Sequence, residues 1–258
     1  MEKLTFFKYQ GTGNDFIIFD NRDGTVPAIS AARIKAMCDR RFGIGADGLM
    51  LLNTKPGYDF EMIYYNSDGR ESSLCGNGGR CLVRFARDIG MHKNSFHFLA
   101  VDGAHEAEID DDIISLKMKN VPEIKEYHGD SILDTGSPHY VKIVGDVMDY
   151  DVYHKGMDIR YSPQFAKEGI NVNFVEQKND HEIIVRTYER GVEDETLSCG
   201  TGVTAAALVC YHNECGYNEV TVITKGGKLT VRYDCPGDGS FENVWLCGPA
   251  VRVFEGTV

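Results

Sequence analysis

The sequence predicts a mixed α/β fold in two halves that repeat one order: strands, a helix led by a cysteine, then strands again. Three observations predict it. Leu74-Cys75-Gly76-Asn77-Gly78-Gly79-Arg80-Cys81 and Ser198-Cys199-Gly200-Thr201-Gly202 each set a cysteine and a Gly-x-Gly turn directly before an apolar run of helical spacing. Asn66 stands nine residues before Cys75 and Arg190 nine before Cys199, so Tyr64-Tyr65-Asn66 overlies Tyr188-Glu189-Arg190. The segments around Phe96, Glu106 and Ile113 are short and alternating, which favours antiparallel pairing over repeated crossover units.

The chain has 258 residues, 42% of them hydrophobic, enough for one large domain or two ordinary ones around real cores. A formal charge of -12 and a pI near 5.1 leave no basic face to neutralise phosphates, so nucleic acid is excluded and a small-molecule partner is expected. Met1 to Lys8 lacks the apolar core and cleavage site of a signal peptide, and no run approaches the roughly 18 apolar residues of a membrane span. The expected location is cytoplasmic, with no membrane partner. There the eight cysteines stay reduced, and reactivity is the better question to ask of them.

Taken in order, the chain opens with strands over Leu4 to Tyr9 and Phe16 to Asp20, joined by Gly11-Thr12-Gly13-Asn14-Asp15 with Asn14 in a tight turn. Ser30 caps a helix through Ile34, Met37 and Cys38. The block Gly43-Ile44-Gly45-Ala46-Asp47-Gly48 matches the dinucleotide fingerprint in letters only, because a helix and not a strand precedes it. Strands follow over Leu49 to Leu52 and Phe60 to Tyr65, then the first cysteine helix, closed by Gly90, then the three alternating segments. Lys119 to Gly129, with Pro122 and many charges, reads as a linker. The pattern restarts with strands over Ile132 to Thr135, Tyr140 to Val144, Val172 to Glu176 and Ile183 to Tyr188. The second cysteine helix follows, closed by Gly216, and then strands over Val220 to Thr224, Leu229 to Tyr233, Val244 to Cys247 and Val251 to Phe254.

Both cysteines therefore fall at helix N-termini. Unpaired backbone N–H groups and the positive end of the helix dipole favour negative charge there, which lowers a thiol pKa and also makes a carboxylate site. If each half places one thiol on opposite walls of a cleft, a thiolate removes a proton from one face of a carbon while a thiol delivers one to the other. That inverts a stereocentre without any cofactor. The N–H groups of Gly76, Asn77, Gly200 and Thr201 suit a carboxylate on which charge builds, and glycine at 76 and 200 lets the backbone approach. Glu189 and His139 are the polar groups expected nearby, to hold an ammonium and tune the thiols. Arg190 and Asn66 suit a further carboxylate.

These residues resemble a known family. Gly11-Thr12-Gly13-Asn14-Asp15-Phe16, Asn66-Ser67-Asp68-Gly69 through Cys75-Gly76-Asn77-Gly78, Gly136-Ser137-Pro138-His139, and Tyr188-Glu189-Arg190-Gly191 through Ser198-Cys199-Gly200-Thr201-Gly202 are similar to the motifs of diaminopimelate epimerase, and the likeness runs to Gly248-Pro249-Ala250-Val251-Arg252-Val253-Phe254-Glu255-Gly256. The resemblance implies a pyridoxal-independent enzyme interconverting LL- and meso-2,6-diaminopimelate, on the route to lysine and peptidoglycan, with no cofactor and no metal. It implies two pseudosymmetric α/β domains, each a curled, mostly antiparallel sheet around a central helix. The first is residues 1–121 with the returning strand 250–258, the second residues 122–249, and the assembly is a homodimer. It makes Cys75 and Cys199 the acid–base pair, modulated by His139 and Glu189. Gly76, Asn77, Gly200 and Thr201 then bind the reacting carboxylate, Glu189 contacts the substrate, and Asn14, Asn66, Asn171 and Arg190 recognise mainly its distal end. Three departures stand out: Ser137 where the family often has Asn, Gly48 where some members have Gln, and a longer, more acidic segment Gly191-Val192-Glu193-Asp194-Glu195-Thr196.

The other cysteines, Cys38, Cys81, Cys210, Cys215, Cys235 and Cys247, are expected to pack as small hydrophobes, and neither the 75/81 nor the 210/215 spacing suits zinc. Taken singly, His139, Asn14 and Asn66 are ordinary core or turn residues, and Glu189-Arg190 a solvated pair. A racemase of proline or hydroxyproline is the rival within the fold, opposed by Arg190, Asn66 and Asn171. A thiol redox protein is the rival outside it, opposed by the absence of Cys-x-x-Cys. A third rival is a non-catalytic binding module.

Overall fold

The computed structural model describes residues 3–72, 74–210 and 215–258. The chain forms two compact units, one running to Leu116 and resuming at Gly248–Val258, the other Lys117–Cys247.

In the first unit β1 (Thr5–Gly11) and β2 (Asn14–Asn21) form a hairpin whose turn, Thr12 and Gly13, has positive φ at both positions (51° and 84°). Asn14 thus opens β2 rather than lying within the turn. Next comes α1 (Ala31–Cys38), capped by the Ser30 hydroxyl, which accepts from the Arg33 N–H at 3.3 Å. It leads to β3 (Gly48–Asn53) and β4 (Phe60–Asn66), then α2 (Gly76–Asp88), β5 (Ser95–Ala100), β6 (Gly103–Asp110) and β7 (Ile113–Lys117). The second unit holds β8 (Lys125–Tyr127), β9 (Asp130–Asp134), β10 (Pro138–Ile143), a 3-10 turn at Val147–Asp149, α3 (Val152–Arg160), β11 (Asn171–Asn179), β12 (Glu182–Glu189), β13 (Asp194–Thr196), α4 (Gly200–Cys210), β14 (Gly216–Thr224), β15 (Gly227–Cys235) and β16 (Glu242–Pro249). The last strand, β17 (Val251–Thr257), pairs antiparallel with β1 and so belongs to the first unit.

The pairings repeat between units. The first unit has the order β17-β1-β2-β3-β4-β5-β6-β7 and the second β8-β9-β10-β11-β12-β14-β15-β16. In each, the pair that spans the first helix and the pair that spans the next are parallel, and the rest are antiparallel. The second helix is central in both. Helix α2 packs against β1, β2, β3, β6 and β17, and α4 against β9, β10, β11, β12, β14 and β15, so each sheet curls round its helix.

The helix residues explain that enclosure. Cys81, Leu82, Val83, Phe85 and Ala86 of α2 are buried, with the Phe85 ring 5.0 Å from that of Phe7 and 5.7 Å from that of Tyr9. Helix α4 is apolar all round, as a helix inside a core must be: Val203, Ala205, Ala206, Ala207 and Leu208 are fully buried among Val175, Ile183, Val222 and Leu229. Among the described residues no helix is long and apolar enough to cross a membrane.

Several expectations need correction. Lys119 to Gly129 is no bare linker: Met118 N–H donates to the Val244 carbonyl at 2.8 Å, Val121 bridges Phe241, and β8 pairs β9 through a His128-Gly129 turn with both φ positive (53° and 82°). Helix α3 escaped the periodicity because only Val152 and Gly156 are buried. Gly156 lies where a Cβ would come within 2.4 Å of the Tyr188 side chain, so only glycine lets α3 settle on β12. Gly90 follows α2 at φ 96°, as expected. Gly216, expected to close α4, instead opens β14, and residues 211–214 lie outside the described ones. Cys215, expected to be packed, is exposed.

The stretch between β10 and α3 is held by one buried cation. Arg186 on β12 donates to both Glu195 oxygens (2.6 and 2.7 Å) and to the carbonyls of Val147, Met148 and Tyr150 (2.7, 3.0 and 2.8 Å). Removing one member of such a buried pair leaves an uncompensated charge and costs about 3–5 kcal/mol. Arg186→Met is expected to lower the urea unfolding free energy by that amount, and a loss below about 1 kcal/mol would show that this network holds nothing.

Candidate active site

Cys75 is the N-cap of α2, in extended conformation (φ -91°, ψ 125°), with its carbonyl accepting the first helical bond from the Gly79 N–H at 2.7 Å. Its thiol donates to Asn14 Oδ1 at 3.5 Å, the same oxygen that receives the Asn77 side-chain amide at 3.4 Å. Asn14 is fixed from its other end, where Nδ2 donates to Asp47 Oδ2. Asn77 is fixed as well, because Arg80, fully buried one turn along, donates to Asn77 Oδ1 at 2.9 Å, to Thr12 Oγ1 at 3.2 Å and to the Gly76 carbonyl at 3.3 Å. Neither amide is able to flip without breaking a bond to a charged group. The first unit thus brings Asn14, Cys75, Gly76 and Asn77 together. Asn66, the exposed last residue of β4, pairs with Gly48, beside Asp47, and the Ser67 N–H that follows it donates to the Asp47 carbonyl at 3.0 Å.

The hairpin bearing Asn14 is itself anchored by charge. Asp15 pairs with Lys8 at 2.6 Å and with Arg40 at 2.7 Å, Arg40 also reaches Asp47 at 2.6 Å, and Lys8 donates to the Gly45 carbonyl. Burial raises the Asp15 carboxyl, but the hydrogen bonds and charges of Arg40 and Lys8 outweigh it and hold it down at about 2. The glycine block at 43–48 is therefore a scaffold for Asp47. At Gly48 a Cβ would lie 2.5 Å from the Tyr64 ring and 2.6 Å from the Tyr65 carbonyl, so no longer side chain stands there.

In the second unit Cys199 precedes α4, 8% exposed, its carbonyl accepting from the Val203 N–H at 2.8 Å and its sulfur 3.5 Å from Thr201 Oγ1. Thr135, the residue after β9, ties the helix start down by donating to the Thr201 carbonyl at 2.9 Å, and Thr204 donates to the Gly200 carbonyl at 3.0 Å. A second cluster gathers Ser137, Asn171 and Arg190. Asn171 Nδ2 donates to Ser137 Oγ at 2.9 Å and its Oδ1 accepts the Arg190 backbone N–H at 2.9 Å, while the Arg190 guanidinium donates to Ser137 Oγ at 3.2 Å and the Glu168 carbonyl at 3.1 Å. Glu189 ends β12 beside it.

His139, on β10, is fully buried, with Nδ1 3.0 Å from Asn173 Nδ2. Burial holds its pKa down at about 3; Asp134 opposes and Arg190 reinforces the shift. The longer acidic segment before Cys199 forms the hairpin turn after β12 and then β13 itself. Gly191 has φ 91° and Glu193 φ 60°, and Glu193 clamps the turn by accepting from the Gly191 N–H at 3.1 Å and pairing with Arg160 at 3.3 Å.

Asp47, Arg80, Asn173 and Thr187 escaped the sequence reading. For the last two a signal existed: polar residues at buried positions of otherwise apolar strands. Burial pushes the thiols of Cys38, Cys81 and Cys210 up, Cys38 to about 11 and Cys210 to about 12, so these are inert packing groups. Among the described residues no group of three or more His, Cys, Asp or Glu is placed to hold a metal ion.

The family model for diaminopimelate epimerase matches residues 6–121 and 131–253. A diaminopimelate epimerase of Flavobacterium psychrophilum is 49% identical over 99% of this chain and 100% of its own, and that of Chlorobaculum tepidum is 40% identical over 96% and 98%. A hydroxyproline epimerase from Agrobacterium vitis, solved with trans-4-hydroxy-L-proline bound, shares the fold with a TM-score of 0.72 at 15% identity, covering 99% of this chain and 92% of its own. A PhzF-family phenazine biosynthesis protein of Bacillus anthracis shares it with a TM-score of 0.75 at 16% identity, over 100% and 99%.

The Asp15 cluster makes acid stability testable. A carboxyl at 3.8 when unfolded and about 2 when folded contributes stability above the unfolded value and loses it as pH falls through the folded one. The contribution is about 2 kcal/mol at neutral pH. Asp15→Asn is expected to flatten the acid limb of stability measured by urea unfolding between about pH 5 and pH 2. An unchanged slope would show that Asp15 does not carry it.

Proposed function

The chain belongs to the diaminopimelate epimerase family, and on that premise we propose that it interconverts LL- and meso-2,6-diaminopimelate without a cofactor, using Cys75 and Cys199 as acid and base. One observation carries most of the support: both units begin their central helix on a cysteine, at the same place in the same strand order. In this reading one thiolate takes the α-proton. The C–H bond breaks, an S–H bond forms, and the electron pair passes toward the carboxylate. The other thiol gives its proton to the opposite face and is left as the thiolate, so the centre inverts and the pair still holds one proton. The backbone N–H groups of Gly76, Asn77, Gly200 and Thr201 receive the reacting carboxylate as charge grows on it. Glu189 takes the substrate ammonium and, with His139, tunes the thiols. Arg190 and Ser137 take the distal carboxylate, held in place by Asn171, with Asn14 and Asn66 completing recognition.

The same reading places the enzyme in the cytoplasm, on the route to lysine and peptidoglycan. It also makes the protein a homodimer. Strand β17 leaves Val251, Val253 and Phe254 about half exposed (48%, 53% and 46%), an apolar face suited to a second copy.

The test is α-proton exchange in heavy water with LL- and meso-diaminopimelate and no added cofactor. The wild type is expected to exchange both. Cys75→Ala and Cys199→Ala are expected each to lose roughly 10²–10⁴-fold in kcat, the usual contribution of a general acid or base. Exchange confined to proline or hydroxyproline, or full turnover in either variant, would overturn the proposal.

A further inference from the structure

Behind the first turn of α4 runs a buried polar chain that reaches His139 through Asn173 and Thr187, two residues to which the proposed chemistry gives no part. Asn173 Nδ2 lies 3.1 Å from the Tyr140 carbonyl and 3.0 Å from His139 Nδ1, and the Thr187 hydroxyl donates to Asn173 Oδ1 at 3.0 Å. Asn173 is 0% and Thr187 3% exposed. A carbonyl oxygen only accepts, so the amide atom beside Tyr140 is the nitrogen, and the Thr187 hydroxyl holds the oxygen on the other side. One amide hydrogen goes to the Tyr140 carbonyl. The other goes to Nδ1, which must therefore present a lone pair. A neutral imidazole that accepts at Nδ1 carries its proton on Nε2.

That Nε2 is buried and has no hydrogen-bond partner among the described residues. The amide also touches the helix start. A Cβ at Gly202 would stand 2.3 Å from Asn173 Oδ1 and 3.4 Å from Cys199 Cβ, so glycine lets this amide press against the turn that begins at the reactive cysteine.

We propose that Asn173, locked by Thr187, is a positioning residue that keeps the His139 proton on Nε2, so that His139 serves turnover as a hydrogen-bond donor and never as a base. Its part in turnover rests on the epimerase reading. A donor steadies a thiolate or a developing carboxylate without competing for the proton that the two thiols exchange. Burial keeps the ring neutral at working pH, against the smaller upward pulls of Asp134 and of the Asn173 contact.

The experiment uses the full chain labelled with ¹⁵N-histidine, with His139→Gln assigning the resonance. In the wild type the imidazole is expected to show an unprotonated Nδ1 and a protonated Nε2, unchanged from about pH 5 to pH 9. Asn173→Ala and Thr187→Val are expected to let the proton spread over both nitrogens and to lower kcat about 10–100-fold with little change in KM, as for other residues that orient a functional imidazole. Thr187→Ser keeps the hydroxyl and is expected to retain both the tautomer and the rate. A wild-type ring protonated at Nδ1, or variants that keep the Nε2–H form and full kcat, would overturn the inference. Lack of α-proton exchange in the wild type, with the Nε2–H form intact, would remove the epimerase reading and the role in turnover while upholding the lock.

Discussion

The start of a buried helix is the constraint on which this site is built. The first N–H groups of α2 and α4 have no carbonyl one turn back to receive them, and each helix is enclosed by the sheet of its own unit. At Cys75 the chain gives up a stabilising cap. The thiol makes no cap bond to α2, where Ser, Thr or Asp would add about 1 kcal/mol. Instead the thiol faces Asn14, and the helix start remains the most positive piece of backbone near it. Stability forgone at that cap is recovered in the enclosed faces of both helices, which also hold their first turns rigid.

The two units fix their polar side chains by different means. Around Cys75 charge does the orienting: Asp47 holds the Asn14 amide, Arg80 holds the Asn77 amide, and Lys8 and Arg40 hold the hairpin through Asp15. In the second unit neutral partners also serve: Thr135 on the Thr201 carbonyl, Thr187 on Asn173 and Asn173 on His139, beside the Arg190 guanidinium on Ser137. An amide has two distinguishable ends, and in both units each end is committed to a partner of one kind only. That removes the freedom to flip and presents a single pattern of donors and acceptors toward the cysteine.

How much of this is legible in the sequence follows from local pattern. The central helices are legible because a glycine turn precedes an unbroken apolar run, and the repeated order because the strands are bounded by glycines and charged turns. Helix α3 is not, since it lies on the sheet through Val152 and Gly156 alone, and β8 is hidden among charges that look like a linker. Of the site, the motifs reveal residues at strand ends and helix starts, where the chain must turn. Asp47 is not legible because it sits inside a glycine block that matches the dinucleotide fingerprint in letters only, and its neighbour Gly48 is glycine because the Tyr64 ring fills the space. Asn173 and Thr187 act through partners distant in sequence, which no spacing rule reaches.

Ser137 shows why a departure from the expected residue need not change the chemistry. A hydroxyl oxygen has two lone pairs and one hydrogen. Here Asn171 Nδ2 and the Arg190 guanidinium both donate to it, at 2.9 and 3.2 Å, so both lone pairs are used and the hydrogen is left to donate. Where an asparagine would offer an amide N–H, this chain offers an O–H polarised by a cation. The cluster therefore presents only donors: the hydroxyl, and the N–H groups of the guanidinium not spent on Ser137 and Glu168. On the proposed epimerase reading such a set suits a second carboxylate, which a pyrrolidine ring bearing a single carboxylate lacks.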